Sequence, residues 1–218
     1  LWTQLKLGVP MGMTILIDVS GFSMMAVFIA RMGTHAVAGH QIAANLVSVL
    51  FMLPMALAGA TSTLVAQRVG AHDIPDARRL TRHGIVFGMA VACTVGAMVY
   101  LGRELVVSLY TQDPAVMAVA LSLLTWVMLF HIVDAGQALA SFVLRAYRIA
   151  TAPMFIFAAS LWGVGLGGGY VVAFNLTGHT PQALQGAPGY WAASTAGLAL
   201  AMTLLMGVLW KVMREQKR

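Results

Sequence analysis

The chain has 218 residues, of which 60% are hydrophobic and 9% charged. Soluble domains carry about 25% charged residues, so this composition excludes an ordinary soluble domain and points to a chain that crosses a bilayer repeatedly. The net charge of +6 does not indicate nucleic acid, because Lys and Arg fall in short stretches between apolar runs, where they set orientation in a membrane. The lone cysteine, Cys93, leaves no disulfide within the chain. No secretory leader is recognisable, and a start at Leu1 rather than Met suggests a piece of a longer protein.

Six apolar spans are predicted, at about 8–30, 38–66, 84–100, 115–146, 153–174 and 189–210, making an all-α membrane protein with a single six-helix lobe. In the first span Pro10 suits the opening turn. Asp18 is its only charge, set between Lys6 and Arg31 and so near mid-depth. In the second, Gln41, Asn45 and Ser48 share a face, and Pro54 is expected to kink the helix by removing a backbone hydrogen bond. The stretch RVGAHDIPDARRLTRH that follows is expected to be a polar loop, and GRELVVSLYTQD links the third and fourth spans.

The fourth span, from Asp113 to Arg148, reads as one long helix. An uncharged run from Ala115 to Phe130 precedes His131 and Asp134, and Arg145 follows. At ~1.5 Å per residue Asp134 lies ~16 Å from that arginine, close to the midplane of a bilayer core ~30 Å thick. His131, Gln137, Ser141 and Arg145 fall within about 60° of Asp134 around the helix, which gives it one polar stripe. The fifth span opens at Pro153 and holds Gly163, Gly165, Gly167, Gly168 and Gly169. Their spacing suits close helix packing, with a flexible gating segment as the alternative. A polar loop from Asn175 to Pro188 precedes the sixth span and the basic tail KVMREQKR. With the N-terminus inside, all of the 13 Lys and Arg residues but Arg31 and Arg103 fall on the inner side, so both termini are expected in the cytoplasm.

Asp18 and Asp134 are the sharpest signal. A charge at mid-membrane costs roughly 2.5–3.5 kcal/mol or more, and an intramembrane carboxylate is a functional residue by default. Two carboxylates at one depth can exchange a proton or Na+ for a cationic ligand. The competing reading is a structural carboxylate paired with His131 or Arg145. His131 reads either as a proton partner of Asp134 or as a histidine satisfied by a backbone carbonyl. Gln41, Asn45, His131 and Gln137 are the candidates for lining a cavity, although polar residues also tie membrane helices together. No P-loop, HExxH, CxxC or dinucleotide fingerprint occurs. The expectation is therefore a protein that is not an enzyme, needs no cofactor, and holds no metal beyond a Na+ at Asp18 and Asp134. It would draw on an ion gradient or on a partner chain for energy.

The stretches LGVPMGMTILIDVSGF and GTHAVAGHQIAANLVSVLFMLPMALAGA resemble the seventh and eighth helices of multidrug and toxic compound extrusion (MATE) transporters of the NorM-type branch. Val37, Ala38, His40, Gln41, Ile42, Ala43 and Asn45 match that family's V-A-A-H-Q-I-A-x-N pattern, and Met52-Leu53-Pro54 follows. DAGQALASFVLRAY resembles the tenth helix, and Trp162, Gly165, Gly169 and Tyr170 the eleventh. The resemblance implies one lobe, the C-terminal one, of a twelve-helix transporter whose N-terminal six-helix lobe is missing here. It also implies a cation site on Asp18 and Asp134. Four features depart from the family: Asp18 stands where glutamate is common, Ala146 where glycine usually follows the arginine, Arg148-Ile149 where Gly-Asp is usual, and Gly167 where a proline is expected.

The resemblance thus implies an antiporter in the bacterial inner membrane that exports small cationic, amphipathic compounds in exchange for H+ or Na+. One alternative is a lipid-linked oligosaccharide flippase of the same superfamily, which needs cationic residues in its cavity, where Arg145 is the one candidate. The other is a non-transporting membrane module or fragment.

Overall fold

The structure, a computed structural model, describes residues 2–215, so Lys217 and Arg218 of the basic tail lie outside the described residues. Helix α1 runs over Trp2–Ala30, α2 over Thr34–Gly70, α3 over Ile74–Leu101, the short α4 over Arg103–Ser108 and α5 over Pro114–Ala146. The fifth span is composite: α6 (Thr151–Phe157) passes into a π-helical stretch (Ala158–Gly168) and then α7 (Gly169–Ala173). After a single 3-10 turn at Gln182–Leu184, α8 covers Ala187–Glu215. Six of the resulting helical spans are long and apolar enough to cross a membrane.

The helices outrun the apolar runs that announce them. Hydropathy marks where the bilayer ends, whereas helices stop where their caps are. α2 has 37 residues, ~55 Å at ~1.5 Å per residue, well beyond a ~30 Å hydrocarbon core. The expected polar loop after it shrinks to a turn at 71–73, with Arg68 still in α2 and Arg78, Arg79 and Arg82 already in α3. Asp73 caps α3 by accepting from the Asp76 amide at 3.2 Å, and Pro75 suits the first turn. Arg68 pairs with Asp76 across the turn at 2.9 Å. Asp113 likewise caps α5, accepting from the Ala115 amide at 2.8 Å with Pro114 behind it. α5 ends at Ala146: Tyr147 caps it, and Arg148 turns the chain with φ 61°. That left-handed conformation suits glycine.

α5 is the central helix and packs on α2, α3 and α8. Glycines let the backbones approach. A Cβ on Gly39 of α2 would sit 2.9 Å from Val119 Cβ, and one on Gly88 of α3 2.6 Å from Leu139 Cδ1. The fifth span packs on α8 in the same way, because a Cβ on Gly169 would lie 2.6 Å from Tyr190 Cδ1, and one on Gly197 2.6 Å from the Ser160 carbonyl oxygen. Gly165 and Gly169 therefore serve close packing. Gly167 lies inside the π-helical stretch.

The apolar core divides into two main clusters along the bundle. One joins Met25, Ile29, Leu46, Leu123, Val127, Phe130, Trp191 and Leu198. The other joins Val65, Ala77, Val143, Leu144, Phe157, Leu205 and Leu209 at the arginine-rich end. The two meet on α5 between Phe130 and Ala140, the stretch that carries His131, Asp134 and Gln137.

Candidate functional site

A cavity of about 380 Å³ opens between α1, α2 and α5 at this junction. α1 contributes Asp18, Phe22 and Ser23, α2 contributes His40, Gln41, Ser48 and Phe51, and α5 contributes Phe130 and Asp134. Asp18 and Phe22 share a face because they lie one helical turn apart, and the same spacing relates Phe130 to Asp134. Each helix thus presents a ring beside a carboxylate.

The two acids are held differently. Asp134 is 9% exposed, and its Oδ1 accepts a hydrogen bond from Gln137 Nε2 at 2.9 Å. Asp18 is exposed on the cavity wall. The α1 backbone beside it is anchored, since Trp162 Nε1 donates to the Ile17 carbonyl at 3.2 Å. Neither acid forms an ion pair among the described residues.

Of the residues singled out from sequence, Asp18, Asp134 and Gln41 come together on this cavity, while Asn45, His131 and Gln137 do not line it. Asn45 is exposed on the same side of α2 as Gln41, but its Oδ1 accepts from the Tyr110 hydroxyl at 2.9 Å. That bond ties it to the connection before α5. His131 is 1% exposed and turned toward α3, with its Cδ2 3.6 Å from where a Gly96 Cβ would be. Its Nε2 has no hydrogen-bond partner among the described residues, so it bonds neither Asp134 nor a carbonyl through that atom. Gln137 lies one turn beyond Asp134 and acts on it rather than on the cavity; its own Oε1 is buried without a partner.

His40 is the polar lining residue that sequence reasoning passed over, although it stands next to Gln41. It is 1% exposed, and its Nδ1 accepts from Trp191 Nε1 at 3.3 Å. Indole is a donor only, so the Nδ1 of this imidazole is unprotonated and its hydrogen sits on Nε2. Phe22, Phe130 and Trp191 form a ring cluster around it, with centroids 5.7–6.1 Å apart, including edge-on contacts of the favourable kind.

Two carboxylates, three phenylalanines and no Lys or Arg line the cavity among the described residues. Aromatic faces attract cations, and the volume falls within the range of small-molecule sites. No group of three or more His, Cys, Asp or Glu residues comes together in metal-binding fashion among the described residues. The donors present are oxygens, which suit a proton or a hard alkali cation rather than a transition metal.

The comparisons with known proteins agree with this architecture. The chain is 40% identical over 211 residues to a probable multidrug resistance protein NorM of Aromatoleum aromaticum, covering 97% of this chain and 45% of that one. It is 32% identical over 200 residues to multidrug resistance protein NorM of Vibrio cholerae, covering 92% and 43%. It thus spans somewhat under half the length of these relatives. Among solved structures, the eukaryotic MATE transporter AtDTX14 superposes with a TM-score of 0.86 at 21% identity, covering 97% of this chain and 47% of that one. The Vibrio cholerae MATE transporter VcmN in its bent form superposes with 0.82 at 17%, covering 98% and 46%. The MatE family profile matches residues 10–171, and the chain belongs to that family, as a multi-pass membrane protein folded as one six-helix lobe.

Proposed function

We propose that this lobe is half of a secondary antiporter that expels cationic, amphipathic compounds across the bacterial inner membrane in exchange for H+ or Na+. The observation that carries the reading is the placement of Asp18 and Asp134 on one aromatic-lined cavity, at the level where the two apolar clusters meet. A proton or Na+ and an organic cation compete for the same negative charge there, so occupancy by one favours release of the other. Rocking of this lobe against a second one would expose the cavity to each side in turn, and both termini would then lie in the cytoplasm. The names of the relatives, which are multidrug resistance proteins, support a role in multidrug efflux.

The oligosaccharide flippase alternative fits poorly. A pyrophosphate needs cationic side chains around it, whereas the cavity lining holds none among the described residues. Arg145 stacks on Phe142 with its guanidinium carbon 4.4 Å from the ring centroid, away from the cavity.

The test is ethidium efflux from energised vesicles carrying the full-length protein, with Na+ and proton gradients imposed separately. Wild type should respond to one gradient, and Asp18→Asn and Asp134→Asn should each abolish that response. Efflux indifferent to both gradients and to both substitutions would return the carboxylates to a structural role.

A further inference from the structure

A second cavity, of about 670 Å³, lies on the other flank of α5, between the first turns of α3 and the last turns of α8. It has no part in the antiport reading. Arg78, Arg79 and Arg82 reach it from α3 and Arg214 from α8, and no Asp or Glu is among its lining residues. The nearby carboxylates are engaged elsewhere, Asp76 with Arg68 at 2.9 Å and Glu215 beside Lys211 at 3.9 Å.

The Arg78 guanidinium is the telling group. Its Nε and one terminal nitrogen are buried, and neither has a hydrogen-bond partner among the described residues. A guanidinium carries five donors and stays charged, and a buried charge without a counterion is costly. Such a group calls for an anion. Arg214 lines the same groove, with its guanidinium carbon over the Trp210 ring, 3.3 Å from the centroid. Stacking uses the face of the guanidinium and leaves its N–H edge for in-plane bonds to oxygen.

Apart from Thr81 and His83, the remaining lining is apolar: Ile85, Val86, Trp210 and Met213. Val86 is two turns further into α3 than Arg78, and Met213 and Trp210 precede Arg214 on α8. A soluble anion has no use for that wall, whereas a lipid has use for both parts. Trp210 is 54% exposed, as befits an aromatic residue at headgroup level.

We infer that this groove binds a phosphate-bearing anionic phospholipid, with the headgroup phosphate held by Arg78, Arg82 and Arg214 and an acyl chain laid along Val86 and Met213. Basic pockets between membrane helices bind such headgroups, and the bidentate fork of arginine matches phosphate oxygens.

The experiment is native mass spectrometry of the full-length protein in detergent, titrated with phosphatidylglycerol, cardiolipin or phosphatidylcholine, and with inorganic phosphate as competitor. Wild type should retain the anionic lipids over phosphatidylcholine. Arg78→Gln should weaken their retention about tenfold, the worth of one charge-assisted hydrogen bond. Arg82→Gln combined with Arg214→Gln, both at exposed positions, tests the same claim should Arg78→Gln fail to fold. Arg31→Gln, at the opposite end of the bundle, should change nothing. Equal retention of all three lipids by wild type, or unchanged retention in the double variant, would overturn the inference. Displacement of lipid by millimolar phosphate would do so as well, since it would make the groove a small-anion site.

Discussion

α5 and α1 bring one carboxylate each to the same cavity and are supported in opposite ways. α5 packs against α2, α3 and α8 and buries every residue from Asp134 to Ser141. α1 meets α2, α6 and the π-helical stretch and leaves Val9, Met13, Ile15, Leu16 and Val19 exposed. Asp134 is thus positioned by its own lobe, with Gln137 as a fixed partner, whereas Asp18 rides on a helix with an open flank. One wall of the cavity is pre-formed, and the geometry of the other depends on what covers α1. For an exchanger this asymmetry is useful, because a site made from one fixed and one adjustable acid can change its grip on an ion as the second wall moves.

The largest expected effect comes from lengthening each acid by one methylene. Asp134→Glu pushes a carboxylate into packed surroundings and off the Gln137 amide. A misplacement of about 1 Å costs on the order of 100-fold in rate, so gradient-driven ethidium efflux should fall by about that factor. Asp18→Glu has an open cavity to extend into and the family's common residue as its precedent, and efflux should stay within about threefold of wild type. Equal losses in the two variants would show that α1 is held as tightly as α5.

Next in size is a break at the α2–α5 contact. A Cβ on Gly39 already falls 2.9 Å from Val119 Cβ and 3.2 Å from the Ala120 amide nitrogen, so Gly39→Leu must force the two helices apart. Overpacking of this kind costs about 1–3 kcal/mol and should lower the thermal unfolding midpoint of the detergent-solubilised protein. Gln137→Leu acts on the site with less disruption to the helix. It removes the donor to Asp134 Oδ1 and, with it, about 1 kcal/mol of hydrogen bonding. The apparent affinity for the coupling ion in efflux assays should change several-fold while expression stays at the wild-type level. An unchanged ion dependence would mean that the Gln137 bond does not position Asp134.

How much of this was legible in the sequence depends on range. The spans and both carboxylates could be read because an apolar run of twenty residues and a charge within it are local features with a large energetic meaning. The extra helical length could not, since Arg78, Arg79 and Arg82 look like loop residues by hydropathy while helix formation tolerates them well. His40 is legible only as part of the family's eighth-helix motif, because its defining partner, Trp191, lies 151 residues along the chain. The bond from Tyr110 to Asn45 has the same character, its two residues lying 65 apart in the chain. The π-helical stretch from Ala158 to Gly168 carries no periodic signal; of the glycines in this span, Gly165 meets Gly197 and Gly169 meets Tyr190, whereas Gly163 and Gly168 have nothing within 4 Å of where a Cβ would stand.

The smallest effect is the most informative about α1. Gly8 and Gly12 have nothing within 4 Å of where a Cβ would stand, and both belong to a shallow apolar groove with Leu5, Val9, Met13 and Leu16. With that flank open, Gly12→Ala gains the helix preference of alanine and no clash, and should stabilise the full-length protein by up to about 1 kcal/mol. If another element of the full-length protein packs closely into the groove, the added methyl meets it and the sign reverses. Thermal unfolding of Gly12→Ala in the full-length protein therefore distinguishes an α1 that stays open along this flank from one that is covered there. A reversal would relocate the asymmetry between the two acids from the transporter to the isolated lobe.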